Sequence, residues 1–139
     1  MAKKILVVDD EPDMVAMLRM RLEKNGYIVI DADNEEGCLK KASEEKPDLI
    51  LLDVLLPGMG GFGVCKRLKE NAGTKDIPVI MVTALIGESA KKTGIESGAA
   101  YLISKPFDPA DLLWEIEDAL KKGFKGAGPT SNRSRLKKE

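Results

Sequence analysis

The chain has 139 residues, 43% hydrophobic and 32% charged, with 22 basic and 23 acidic side chains and a formal charge of −1, so there is room for one domain of ordinary size with a complete core. The charge is uneven: residues 123–139 hold five of the bases and one acid, leaving residues 1–122 with 17 bases against 22 acids, a net of −5, and nucleic-acid binding by the globular part is not expected. The absence of histidine excludes a Ser/His or Cys/His triad, His-ligated zinc and a phosphohistidine intermediate on this chain, so any chemistry must use carboxylates, hydroxyls and lysine.

Ile5 to Val8 is an apolar, β-branched run that reads as a strand. After the acidic turn Asp9-Asp10-Glu11, Pro12 suits the first turn of a helix in which Met14, Val15, Leu18 and Leu22 form the core face, and Asn25-Gly26 ends it. The same unit repeats four more times. Strands are expected near Tyr27 to Ala32, Leu49 to Asp53, Val79 to Thr83 and Tyr101 to Ser104, and helices near Glu35 to Glu45, Phe62 to Glu70, Glu88 to Ser97 and Pro109 to Lys122. Asn34 and Asp108 are suited to cap helices, and Gly73, Gly98 and Gly123 to end them. The third and fourth strands are apolar on both faces, as when helices cover both sides of a parallel sheet. Alternating units of this length predict an α/β domain, a doubly wound (βα)5 architecture over residues 1–122.

Residues 123–139 read as a flexible basic tail or linker. No stretch approaches the roughly 18 apolar residues of a membrane span, and no long apolar segment precedes a cleavage site, so a cytoplasmic location is expected. Cys38 and Cys65 fall in helical patterns beside apolar residues and read as reduced core fillers. The fourth helix is the weakest, because Ser89, Thr93 and Gly94 are poor helix formers.

Five polar side chains sit where hydrophobic runs end: Asp9 and Asp10, Asp53, Thr83 and Lys105. In one parallel sheet they meet at the carboxyl edge, where open α/β sheets bind ligands. Three carboxylates there repel by on the order of 4 kcal/mol per pair at ~4 Å and an effective dielectric of ~20. A hard divalent cation relieves this, and a ligand set without histidine or cysteine favours Mg2+, or Mn2+, over Zn2+. Together with Lys105 and Thr83 such an ion can neutralise and bond a phosphoryl group, and Asp53, before a Gly-rich loop, is the natural nucleophile for an aspartyl phosphate.

The chain resembles the receiver domains of two-component response regulators, including the single-domain chemotaxis type. The resemblance rests on Ile5-Leu-Val-Val-Asp-Asp-Glu11, Asp48-Leu-Ile-Leu-Leu-Asp-Val-Leu-Leu-Pro-Gly-Met59, Pro78-Val-Ile-Met-Val-Thr-Ala84 and Lys105-Pro-Phe107, and spans residues 3–122. It implies a flavodoxin-like fold with a parallel five-stranded sheet of order 2-1-3-4-5. It further implies Asp53 as phosphoacceptor, Asp10 as direct metal ligand, Asp9 acting mainly through water, and the Leu55 carbonyl completing the protein ligands. Lys105 pairs with the phosphoryl group, Thr83 reorients to bond it, the Ala84 N–H assists, and the bond before Pro106 is cis. By the same resemblance the donor is a histidine kinase, a histidine phosphotransfer protein or a small acyl phosphate. The domain promotes only its own phosphorylation and dephosphorylation, and it signals to a downstream effector or output domain through the fourth helix, fifth strand and fifth helix.

Four positions stand out. Most members of the family carry an aromatic three residues before the lysine; here that position is Leu102, and Tyr101 falls one residue earlier, on the opposite strand face. Leu55 and Leu85 occupy positions that often carry polar groups acting on the attacking water, so slow dephosphorylation is expected. Trp114 lies off the apolar stripe of Leu112, Leu113, Ile116 and Leu120, which marks a partner or homodimer surface. A Mg2+-dependent phosphohydrolase and a phosphorylation-independent adaptor are the competing readings; the first usually has a second acid two residues after the nucleophile, where this chain has Leu55.

Overall fold

The computed structural model describes residues 2–84 and 88–122. Five βα units follow one another: β1 (Lys4–Val8), α1 (Pro12–Lys24), β2 (Ile28–Ala32), α2 (Glu35–Glu45), β3 (Leu49–Asp53), α3 (Gly60–Glu70), β4 (Val79–Thr83), α4 (Glu88–Ser97), β5 (Tyr101–Ser104) and α5 (Pro109–Lys122). The strands are all parallel and lie in the order β2-β1-β3-β4-β5, the doubly wound, flavodoxin-like (βα)5 arrangement.

Strand alternation divides the core in two. Leu6, Val8, Ile50, Leu52, Met81 and Leu102 face α2 and α3, where Cys38, Ala42, Val64 and Leu68 are buried. Ile5, Val7, Leu51, Ile80, Tyr101 and Ile103 face the other way, onto Leu18 and Leu22 of α1 and Leu112, Ile116 and Ala119 of α5. Every residue of β3 and β4 is buried, because both faces of these central strands are covered.

The helix boundaries have local causes, most of them visible in the sequence. Asn34 Oδ1 accepts the Gly37 N–H at 2.7 Å and Asp108 Oδ1 the Ala110 N–H at 2.9 Å, each satisfying a donor that the first helical turn leaves orphaned. Gly26, at φ +90, turns the chain out of α1. Two ends are made without glycine. Helix α2 stops at Lys46, whose φ of 50 is left-handed although it is not glycine; Pro47 follows and disfavours the right-handed helical region for the residue before it. Helix α3 stops at Asn71 and not at Gly73: the Asn71 side chain accepts the Gly73 N–H at 2.8 Å, so a polar side chain makes the turn expected of the glycine. Helix α3 also starts at Gly60, two residues before Phe62. Gly123 and the basic tail lie outside the described residues.

Both cysteines are free and fully buried. Burial pushes the Cys38 thiol up to about 12 and that of Cys65 up to about 11, and the thiolate is the reactive form. The native protein near pH 8 is therefore expected to leave both thiols unmodified by an aromatic disulfide reagent, while the guanidinium-unfolded chain gives two equivalents promptly. A native thiol reacting at the unfolded rate would contradict this packing.

Candidate functional site

Sheet register carries the site. Val8 lies beside Leu52, Asp53 beside Val82 and Thr83 beside Ser104, so Asp9, Asp53, Thr83 and Lys105 all come at the carboxyl ends of adjacent strands. Asp9, Asp53 and Thr83 are buried and Asp10 is exposed. One carboxylate oxygen from each of Asp9, Asp10 and Asp53 lies within 4.8 Å of the other two.

Lys105 Nζ donates to Asp9 Oδ2 at 3.3 Å and lies 3.5 Å from Asp53 Oδ2 and 3.8 Å from Glu11 Oε1. The bond from Lys105 to Pro106 is cis, and the Lys105 N–H donates to the Thr83 carbonyl at 2.6 Å. The remaining carboxylate oxygens meet local backbone: Asp9 Oδ1 accepts the Glu11 N–H at 2.9 Å and Asp53 Oδ1 the Leu55 N–H at 3.1 Å.

The electrostatics follow from this crowding. Burial raises the Asp9 carboxyl above its ordinary range; the Glu11 N–H acts against that, Asp53 adds to it, and Lys105 opposes it. Burial alone would lower the Lys105 ammonium, but Asp9, Asp53 and Glu11 together raise it. A carboxyl whose folded pKa is raised opposes folding once ionised, so Asp9 costs stability above its folded pKa and protonation relieves that cost. One ammonium faces three acids here, with Asp10 clustered beside two of them, and the donors are hard oxygens without histidine or cysteine. That set fits a hard divalent cation.

Glu11 was not singled out from sequence, since an exposed acid beside two others carries no distinguishing pattern. Gly61 is a second addition. A Cβ there would sit 2.4 Å from the Asp53 carbonyl oxygen and 2.6 Å from Val54 Cα, so α3 begins in contact with the backbone of the phosphoacceptor candidate. The run of glycines after Asp53 was the available signal.

The sequence profile of the response regulator receiver domain matches residues 5–117. The chain belongs to this family. A receiver domain is the phosphoacceptor signalling switch of two-component response regulators, and that is the function of this domain. It is 45% identical over 122 residues to the alkaline phosphatase synthesis transcriptional regulatory protein PhoP of Bacillus subtilis, covering 88% of this chain and 50% of that protein. It spans about half the length of the curated relatives it matches. Among solved structures, a CheY-like receiver domain protein of Methanospirillum hungatei superimposes with a TM-score of 0.82 at 30% identity, covering 88% of this chain and 97% of that one. The chemotaxis protein CheY4 of Vibrio cholerae gives 0.80 at 31%, covering 85% and 98%.

Within this receiver domain Leu102 is buried against the α3 and α4 side, with its methyl carbons 3.7 Å and 3.8 Å from where a Cβ on Gly94 would sit. Tyr101 is buried on the opposite face and its hydroxyl donates to the Asp118 carboxylate of α5. The tyrosine is thus tied to α5 and does not take the place of the aromatic expected at position 102. Trp114, also on α5, is 37% exposed. An apolar hollow of about 370 Å³ lined by Met14, Met17, Ala84, Pro106 and Phe107 opens beside Lys105. No helix among the described residues is long and apolar enough to cross a membrane.

Proposed function

We propose that Asp53 is the phosphoacceptor. The observation that carries this reading is a buried carboxylate at the central strand end, 3.5 Å from Lys105 Nζ and clustered with Asp9 and Asp10. A carboxylate oxygen of Asp53 forms a bond to phosphorus as the phosphorus–nitrogen bond of a phosphohistidine, or the phosphorus–oxygen bond of an acyl phosphate, breaks and its electron pair leaves with the donor. Lys105 meets the charge on the phosphoryl oxygens, the Thr83 hydroxyl bonds one of them, and the Ala84 N–H assists. Asp10, Asp53 and the Leu55 carbonyl would hold Mg2+, or Mn2+, directly, with Asp9 reached through water. The ion when bound supplies positive charge opposite the phosphoryl oxygens. Hydrolysis of the same acyl phosphate resets the domain, without an external substrate.

The donor in this reading is a sensor histidine kinase or a histidine phosphotransfer protein, for which the apolar hollow beside Lys105 offers a dry contact. The output surface is α4-β5-α5, with Trp114 available for a homodimer or for a downstream effector or output domain. A transcriptional output fits the Bacillus subtilis relative, a transcriptional regulatory protein, better than a chemotaxis role does. In this reading residues 1–122 are the receiver unit and residues 123–139 a basic tail or linker, in the cytoplasm. The phosphohydrolase alternative is less well supported, because the position two residues after Asp53 presents Leu55, a 54% exposed apolar side chain, and no second acid. Incubation with acetyl phosphate and Mg2+ tests the reading: intact mass should rise by one hydroxylamine-labile phosphoryl group, and an unchanged mass would sink it.

Two further outcomes separate the roles. Lys105→Met removes a cation beside two carboxylates, so Mg2+ should bind about threefold tighter by calorimetry while phosphorylation slows by at least about tenfold. A parallel loss of both would place Lys105 in folding alone. Leu55→Asn puts a polar group at the rim of the site, and the phosphoryl lifetime should shorten by about fivefold, the worth of one net hydrogen bond to the attacking water. An unchanged lifetime would remove Leu55 from control of hydrolysis. Leu85, the other apolar residue expected to exclude water, lies outside the described residues.

A further inference from the structure

The loop from residue 54 to 59, which joins β3 to α3, is tied down at both ends. At its start the Val54 N–H donates to the Val82 carbonyl at 3.1 Å, and the Val54 carbonyl accepts the Gly61 N–H at 2.7 Å. Its far end is held from a distant part of the chain: Glu35, the first residue of α2, accepts the Met59 N–H on Oε2 at 2.8 Å. Met59 is the N-cap of α3 and makes no side-chain capping bond. The Glu35 carboxylate therefore stands where α3 lacks a cap of its own and where the helix dipole favours an anion.

The fit is close. At Gly58, φ +92, an added Cβ would lie 2.8 Å from the carboxyl carbon and both oxygens of Glu35. Only a residue without a side chain allows the loop backbone to lie against that carboxylate, and only glycine adopts this φ without strain. Glu36, the next acid on the first turn of α2, is exposed, so the two neighbours differ in what they touch.

We propose that Glu35 is a positioning residue for the phosphorylation site, fixing the far end of the loop so that the Leu55 backbone is held against Asp53 before cation or phosphodonor arrives. This rests on the reading that Asp53 and the Leu55 carbonyl serve the site. Glu35 touches neither reacting group; it acts through the loop, and it couples α2 to the chemistry.

The full chain and its Glu35→Ala, Glu35→Gln and Glu36→Ala variants test this by amide hydrogen exchange of residues 54–62 without metal, by Mg2+ calorimetry and by thermal melting. Glu35→Ala should exchange faster in this loop and bind Mg2+ about tenfold more weakly, as when an outer-shell support of a ligand is lost. Glu35→Gln, which keeps an acceptor oxygen, should recover most of the exchange protection. Glu36→Ala, which removes the same charge without contact to the loop, should match wild type in both. Equal behaviour of Glu35→Ala and Glu36→Ala, whether both normal or both impaired, overturns the proposal, as does faster loop exchange with unchanged Mg2+ affinity. Wild type that binds no Mg2+ and accepts no phosphoryl group defeats the functional reading itself; loop exchange then identifies Glu35 as a structural anchor only, and the proposal falls with that reading.

Discussion

Asp53→Asn is expected to abolish incorporation of a labile phosphoryl group from acetyl phosphate, while the protein remains folded. The carboxamide keeps the shape of the side chain and an oxygen able to accept the Leu55 N–H, now 3.1 Å from Asp53 Oδ1. What it loses is the anionic nucleophile, and the chain has no histidine to replace it. Folding should survive, because the substitution also removes one of the charges that raise the Asp9 carboxyl, although it gives up the approach of Lys105 at 3.5 Å. With one acid fewer, Mg2+ should bind more weakly. Intact mass, calorimetry and a thermal melt on the same sample give the three readouts, and a full phosphoryl increment on the variant would move the acceptor to another carboxylate.

The second large effect falls on stability and has a sign opposite to helix propensity. Alanine is favoured over glycine in a helix interior by about 1 kcal/mol, yet Gly61→Ala should destabilise the domain by about 3 kcal/mol. The added methyl would meet the Asp53 carbonyl oxygen at 2.4 Å and Val54 Cα at 2.6 Å, and both are backbone atoms that cannot rotate away. Relief requires α3 to move off β3, which breaks the Gly61 to Val54 bond of 2.7 Å and shifts the loop that carries Leu55. Gly94→Ala supplies the internal comparison: its Cβ would lie 3.7 Å from Leu102 and Phe62, ordinary van der Waals contact, so the same change in α4 should be neutral or mildly stabilising. Urea denaturation of the pair decides the matter, and equal midpoints would mean that the contact at Gly61 is relieved at no cost.

These two predictions rest on different kinds of information. Asp53 stood out in the linear chain, because a carboxylate directly after four apolar residues marks a strand end, and parallel strands present those ends on one edge. The same logic located Asp9, Thr83 and Lys105, since hydrophobic runs with turn signals between them are local patterns that survive whatever the packing. Strand order and the opposite faces of Tyr101 and Leu102 followed from the family resemblance and from the two-residue period of a strand. Gly61 was visible only as one glycine of a loop, and nothing in its neighbours announced how near the backbone of β3 would come.

The amino-acid order by itself determined the alternation of strands and helices, the buried faces, the acidic strand ends and the lysine that joins them, because each depends on periodicity or capping within a few residues. Tertiary structure alone decided that Glu11 faces Lys105 and that Glu35 reaches Met59, 24 residues along the chain. Contacts of this second kind are set by the angles and distances at which whole helices settle on the sheet. Those emerge from the sum of many small packing terms, and no short window of sequence encodes them.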